Sequence, residues 1–327
     1  MSAIVICVSP SSEESVRSFY GAGPPAYHSA MPTGSAHVEN GDTLHSSRRS
    51  LSTSHGTLAF GERCLIMGVI NITPDSFSDG GECLEHTAAA ARARQMVADG
   101  ADVLDIGGES TRPGSREVSA EEQILRVIPA IREIRAQGVS VPISIDTRFG
   151  AVAAAALDAG ADIVNDISAG RDDPEMPSLL ADRCVPFVVM HMLGAPATMQ
   201  AAPRYDDVVA EVGAFFMARA ETLASAGVDV NRMIVDPGIG FGKTLEHNLS
   251  LLRSVRAFGV RWPVLVGPSR KRFLGEILNE PDPKQRVFGT AAVVAHCALA
   301  GVDMVRVHDV QPMRQVVEVC DRIAEAP

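Results

Sequence analysis

The chain has 327 residues, 46% of them hydrophobic and 21% charged, with a mean hydropathy of +0.10. That apolar content supports a large core and excludes disorder throughout, and no apolar run reaches the roughly 18 residues of a bilayer span. A net charge of −11, from 29 basic and 40 acidic residues, argues against a nucleic-acid partner.

Residues 1–57 differ in character from the rest. They hold 13 serines, four histidines without fixed spacing and the pair Pro24-Pro25. They read as a disordered extension, or as an over-extended gene start. A targeting segment is the alternative. The Met1–Val8 stretch is too short for a signal peptide and lacks a basic start, and Glu13, Glu14, Glu39 and Asp42 speak against a transit peptide. The six cysteines (Cys7, Cys64, Cys83, Cys184, Cys297 and Cys320) are scattered with no C-x-x-C, as expected of a cytoplasmic protein without a disulfide framework or zinc site.

From Leu58 the pattern becomes regular. Expected strands are Leu65–Ile70, Val103–Ile106, Ile143–Ile145, Ile163–Val164, Phe187–Met190, Met233–Val235, Val264–Val266 and Met304–Val307. Expected helices are Glu85–Ala98, Ala120–Ala136, Gly150–Ala159, Pro174–Asp182, Tyr205–Ala226, Thr244–Arg253, Pro283–Ala300 and Gln311–Glu325. Eight such repeats close into a single-domain α/β (β/α)8 TIM barrel over residues 58–327. The alternative, a doubly wound sheet, would carry G-x-G-x-x-G after an early strand, and that spacing is absent there.

Barrel chemistry lies at the C-terminal strand ends. Here those ends carry Asn71, Glu109 to Arg112, Asp146, Asn165-Asp166, His191, Asp236, Ser269 to Lys271, and Arg306 with His308. Asn71 offers a hard oxygen, and Arg112 can grip a carboxylate or pair with Glu109. Asp146 either points inward or caps the next helix. Asn165 suits the edge of a heterocycle. Asp236 opens a glycine-rich turn around Phe241, whose spacing before Lys243 fails the P-loop pattern. His191 is as readily a satisfied core residue as a catalytic one. Arg306 lies within a strand, where burial is costly unless it meets an anion, and His308 shares its side. Arg112, Lys271 and Arg306 supply local positive charge inside an acidic whole. Together these residues suggest a transferase acting on a diphosphorylated heterocycle.

Met67-Gly-Val-Ile-Asn-Ile-Thr-Pro-Asp-Ser-Phe-Ser-Asp-Gly-Gly81 and Asp105-Ile-Gly-Gly-Glu-Ser-Thr-Arg-Pro-Gly114 resemble the two signature motifs of the dihydropteroate synthase family. Ser144–Thr147, Val164–Ile167, Met190–Met192, Asp236–Gly238, Ser269–Lys271 and Arg306–Asp309 match that family in order. The resemblance covers about residues 58–327. It implies condensation of 6-hydroxymethyl-7,8-dihydropterin diphosphate with 4-aminobenzoate, yielding 7,8-dihydropteroate and pyrophosphate. It assigns Asp146, Asn165, Asp236 and Lys271 to the pterin ring, and Asn71, Arg306 and His308 to the diphosphate, with Mg²⁺ at Asn71. Asp146, Lys271, Arg306 and His308 are the implied catalytic residues. Phe77, Thr111, Arg112, Pro113, Phe241 and Ser269 are expected around 4-aminobenzoate, with Thr111 also reaching the pterin diphosphate. A homodimer and sulfonamide sensitivity are implied as well. Pro268 departs from the family pattern beside the aminobenzoate pocket. A methyltetrahydrofolate:corrinoid methyltransferase shares such a barrel but needs neither the Ser-Thr-Arg-Pro loop nor the Ser-Arg-Lys exit. A catalytically silent paralogue would have lost residues such as Asn71, Arg112 or Lys271.

Overall fold

Short β-branched runs alternating with Ala-rich segments fold as parallel strands and covering helices. The computed structural model describes residues 49–72, 82–109, 118–194 and 198–326. Strands β1 (Arg49–Thr53) and β2 (Gly56–Phe60) form an antiparallel hairpin. The parallel strands that follow are β3 (Leu65–Asn71), β4 (Val103–Gly107), β5 (Ile143–Asp146), β6 (Ile163–Asp166), β7 (Phe187–Met190), β8 (Met233–Asp236), β9 (Leu265–Val266) and β10 (Met304–Val307). They are hydrogen-bonded in the order β8-β7-β6-β5-β4-β3-β10-β9. Val235 in β8 then bridges to Val264, just before β9, and its N–H donates to the Pro263 carbonyl at 2.9 Å, closing the ring. The fold is the expected (β/α)8 barrel.

The helices are α1 (Glu82–Ala98), α2 (Ala120–Ala136), α3 (Gly150–Asp158), α4 (Glu175–Arg183), α5 (Val208–Ser225), α6 (Leu245–Arg253), α7 (Arg272–Leu278), α8 (Val287–Leu299) and α9 (Val310–Ala324). All eight expected helices are present; α7 is additional, its seven residues being too few to establish a helical period. Side-chain caps start several helices, Ser119 accepting from the Glu122 N–H at 3.3 Å and Asp207 from the Val209 N–H at 3.0 Å. Such caps contribute about 1 kcal/mol each. Among the described residues no helix is long and apolar enough to cross a membrane.

The two-residue period of the strands decides what faces the barrel axis. Leu104 and Ile106 of β4, Ile143 and Ile145 of β5, and Val305 and Val307 of β10 pack outward against the helices. Val103, Ile163, Ile234 and Met304 face inward and form an apolar interior layer. Two residues further along the same strands stand Asp105, Asn165, Asp236 and Arg306. The barrel is thus apolar toward its N-terminal end and polar toward its mouth.

Leu51, Leu58 and Phe60 of the hairpin join the apolar interior layer and plug the N-terminal end. At the hairpin turn, the His55 N–H donates to Asp162 Oδ1 at 3.2 Å, and Nδ1 of the ring lies 2.9 Å from the same oxygen. The expected boundary at 57/58 therefore falls inside a folded element, and residues 49–57 do not belong to a structureless extension. The plug was hidden because only a few apolar residues are set among serines and threonines.

Candidate active site

The polar mouth is centred on Arg306. Its Nε donates to Asp105 Oδ2 at 2.5 Å and its Nη2 to Asp146 Oδ2 at 2.6 Å. Burial works against the guanidinium charge, but Asp105 and Asp146 outweigh it and hold its pKa above the ordinary value. Asp105 is 0% exposed and also accepts from Asn165 Nδ2 at 3.2 Å, so one carboxylate orients both side chains. Burial pushes Asp146 up to about 7; Arg306 opposes this, while the nearby Asp105, Asp166 and Glu109 add to it.

Beside this group, β8 delivers Asp236. Its Oδ1 accepts the Gly238 N–H at 2.7 Å. Burial raises its pKa, against that hydrogen bond and the pull of Lys271. The following turn places Gly238, Gly240 and Gly242 at φ 66°, 83° and 64°. A Cβ on Gly238 would lie 1.9 Å from the His191 carbonyl oxygen, so no larger residue fits. The turn presents Phe241, and Lys271 Nζ sits 3.9 Å from the centroid of its ring. Burial pushes Lys271 down to about 8, with Asp236 opposing. Phe241 also joins Ile167, Met190, Met192 and Met199 in an apolar wall.

Lys271 projects from the β9–α7 turn. The Lys271 N–H donates to the Pro268 carbonyl at 3.3 Å, and Arg270 has φ 61°, the sign that a type II turn requires at its third position. Three side chains leave this turn in different directions. Ser269 Oγ accepts the His308 N–H at 3.2 Å and lies 3.0 Å from Nδ1 of that imidazole. Arg270 forms a two-point ion pair with Asp309, at 2.6 and 3.1 Å. Lys271 reaches the ring of Phe241. At the far side of the mouth, a Cβ on Gly107 would stand 3.7 Å from Asn71 Oδ1 and 3.5 Å from Asp146 Cβ, so the missing side chain leaves room between them.

The mouth thus gathers Asn71, Asp146, Asn165, Asp236, Phe241, Ser269, Lys271, Arg306 and His308. Phe77, Thr111, Arg112 and Pro113 lie outside the described residues. Two expectations change. Arg306 does meet anions, but they are the chain's own Asp105 and Asp146. Of the three cations expected to supply local positive charge, Lys271 and Arg306 stand in the mouth with Asp105, Asp146 and Asp236, and Arg112 lies outside the described residues. Of the basic run at 270–272, only Lys271 enters the site; Arg270 turns to Asp309 and Arg272 is exposed. His191 takes the satisfied-core reading. It is buried, edge-on to Phe215, and within 3.0 Å of Lys243 Nζ. Asp105 is the residue that sequence reasoning missed. Its signal was a carboxylate sharing the inward face of β4 with Val103.

Residues 67–308 match the pterin binding enzyme family, and the chain belongs to it. Within that class the resemblance to dihydropteroate synthases holds. The dihydropteroate synthase of Synechocystis sp. is 47% identical over 265 residues, covering 81% of this chain and 91% of its own length. The structure of the Xanthomonas albilineans dihydropteroate synthase with 4-aminobenzoic acid superposes with a TM-score of 0.80 at 41% identity, covering 86% of this chain and 100% of that one. The same enzyme in complex with 7,8-dihydropteroate gives 0.76 at 39% identity, over 85% and 100% of the two chains.

Proposed function

We propose that this chain is a dihydropteroate synthase, condensing 6-hydroxymethyl-7,8-dihydropterin diphosphate with 4-aminobenzoate. The observation that carries the reading is the polar layer around Arg306. A pterin ring presents adjacent N–H donors and a carbonyl acceptor, and Asp146, Asn165, Asp236 and Lys271 offer the complementary set. Arg306 donates through Nε and Nη2 to Asp105 and Asp146, and its Nη1 edge, with His308, would hold the diphosphate.

In the reaction the pterin methylene loses its C–O bond to pyrophosphate and gains a C–N bond to the arylamine, which then releases a proton. Arg306 and His308 stabilise the charge building on the leaving group. Ionised Asp146 stabilises positive charge developing on the pterin. Phe241 and Ser269, with Phe77, Thr111, Arg112 and Pro113 from the two signature loops, hold the aminobenzoate and orient its amine for attack. No covalent enzyme intermediate is required.

The donor set suits a weakly held divalent ion. Asn71 gives one hard oxygen beside the space at Gly107, and no cluster of three or more His, Cys, Asp or Glu stands among the described residues. A hard amide oxygen of this kind would help to hold Mg²⁺. When bound, it would neutralise charge on the departing pyrophosphate.

The barrel works as one domain behind an N-terminal extension, in the cytoplasm, as a homodimer without nucleic-acid or membrane partners. Sulfonamides, as aminobenzoate mimics, compete at the Ser269 side, with Pro268 adjusting their potency. The test is incubation of purified protein with both substrates and Mg²⁺, following dihydropteroate and pyrophosphate. Equimolar formation of the two is expected, and absence of product at saturation overturns the proposal.

A further inference from the structure

Arg286 stands at the start of α8, is 8% exposed, and meets no carboxylate among the described residues. Its guanidinium instead binds four backbone carbonyls. Nε donates to Glu280 at 2.9 Å and Nη2 to Pro281 at 2.7 Å. Nη1 donates to Arg270 at 3.2 Å and to Lys271 at 3.3 Å. A buried cation satisfied only by peptide oxygens is costly to maintain unless those peptides must be held. Two of them belong to the turn that carries Ser269, Arg270 and Lys271.

That turn has a structural reason to need holding. Arg270 occupies the left-handed region, which a residue with a Cβ enters only under constraint. The constraint comes from α8 on both sides of the residue. Thr290 Oγ1, one helical turn after Arg286, accepts the Arg270 N–H at 3.3 Å, while Arg286 takes the Arg270 carbonyl. Helix α7 is shaped to admit the guanidinium. A Cβ on Gly275 would lie 2.5 Å from Arg286 Cζ and 2.6 Å from Nε, so any side chain there would push the guanidinium out of its place.

We propose that Arg286 is a positioning residue for catalysis, clamping the β9–α7 turn so that Lys271 and Ser269 address the two substrates together. It acts through Lys271 and Ser269. The inference rests on the synthase reading for its substrates.

The test compares wild type with Arg286→Ala, Arg286→Lys and Gly275→Ala in steady state, varying each substrate in turn. Arg286→Ala is expected to lower kcat/KM for the pterin diphosphate at least tenfold and to raise KM for both substrates. Added guanidinium ion should restore part of the loss. Gly275→Ala keeps the arginine but displaces it, and is expected to reproduce the defect if Arg286→Ala fails to fold. Arg286→Lys should fall between, having fewer donors for four carbonyls. Amide hydrogen exchange over residues 269–274 should quicken in each folded variant, a readout independent of turnover. Should wild type itself form no dihydropteroate, the synthase reading fails while exchange still reports on the clamp. Folded Arg286→Ala with wild-type constants for both substrates, or unchanged exchange at 269–274 in every variant, would overturn the proposal.

Discussion

Asp105 and Asp146 hold the same guanidinium yet have different tasks. Asp105 is sealed beneath Arg306 and Asn165 and sets their directions, whereas Asp146 stands higher in the mouth where substrate can reach it. Because burial pushes Asp146 up to about 7 and the proposed reaction needs it ionised, acid should remove its charge and with it the stabilisation of the developing cation. Below about pH 7 the wild-type kcat/KM is therefore expected to fall toward a tenfold loss per pH unit, since this parameter follows groups of the free enzyme. Asp146→Asn should lower turnover by more than tenfold at neutral pH and lose that acid limb. A pH–rate series on both proteins checks this, and wild-type turnover with an intact acid limb in Asp146→Asn would refute the role. Sequence periodicity exposed Asp146 because it ends an apolar run. Asp105 was harder to see, sitting inside such a run where an isolated carboxylate resembles a buried structural partner.

At the scale of elements, the hairpin β1–β2 has the clearest consequence. Burying Leu51, Leu58 and Phe60 contributes on the order of 5 kcal/mol at about 1.5–3 kcal/mol per large side chain. Deleting residues 1–48 is expected to leave melting temperature and activity unchanged. Deleting 1–60 should uncover the barrel interior and lower the melting temperature by many degrees. Thermal unfolding of the two truncations separates them, and equal melting temperatures would contradict the plug. The eight strand–helix repeats were legible because each strand is apolar and each long helix has room for its period. The hairpin and α7 were not, one for its sparse apolar residues and the other for its seven-residue length. Arg286 was equally silent, since a lone arginine at a helix start reads as solvated until four carbonyls are found around it.

Across the whole molecule, an acidic barrel sets Lys271 and Arg306 beside Asp105, Asp146 and Asp236 among the described residues of its mouth. Burial raises Asp146 and Asp236 and lowers Lys271. In the proposed function this layer offers matched donors and acceptors to a flat heterocycle, and Arg306 and His308 address its phosphates. The central claim is that this layer, and not the loops alone, holds the pterin. Calorimetric titration of wild type and Asp236→Asn with 6-hydroxymethyl-7,8-dihydropterin diphosphate and Mg²⁺ tests it most directly. A loss of at least tenfold in affinity in the folded variant is expected, about 1.4 kcal/mol or more. Equal affinity in the two proteins would contradict the account.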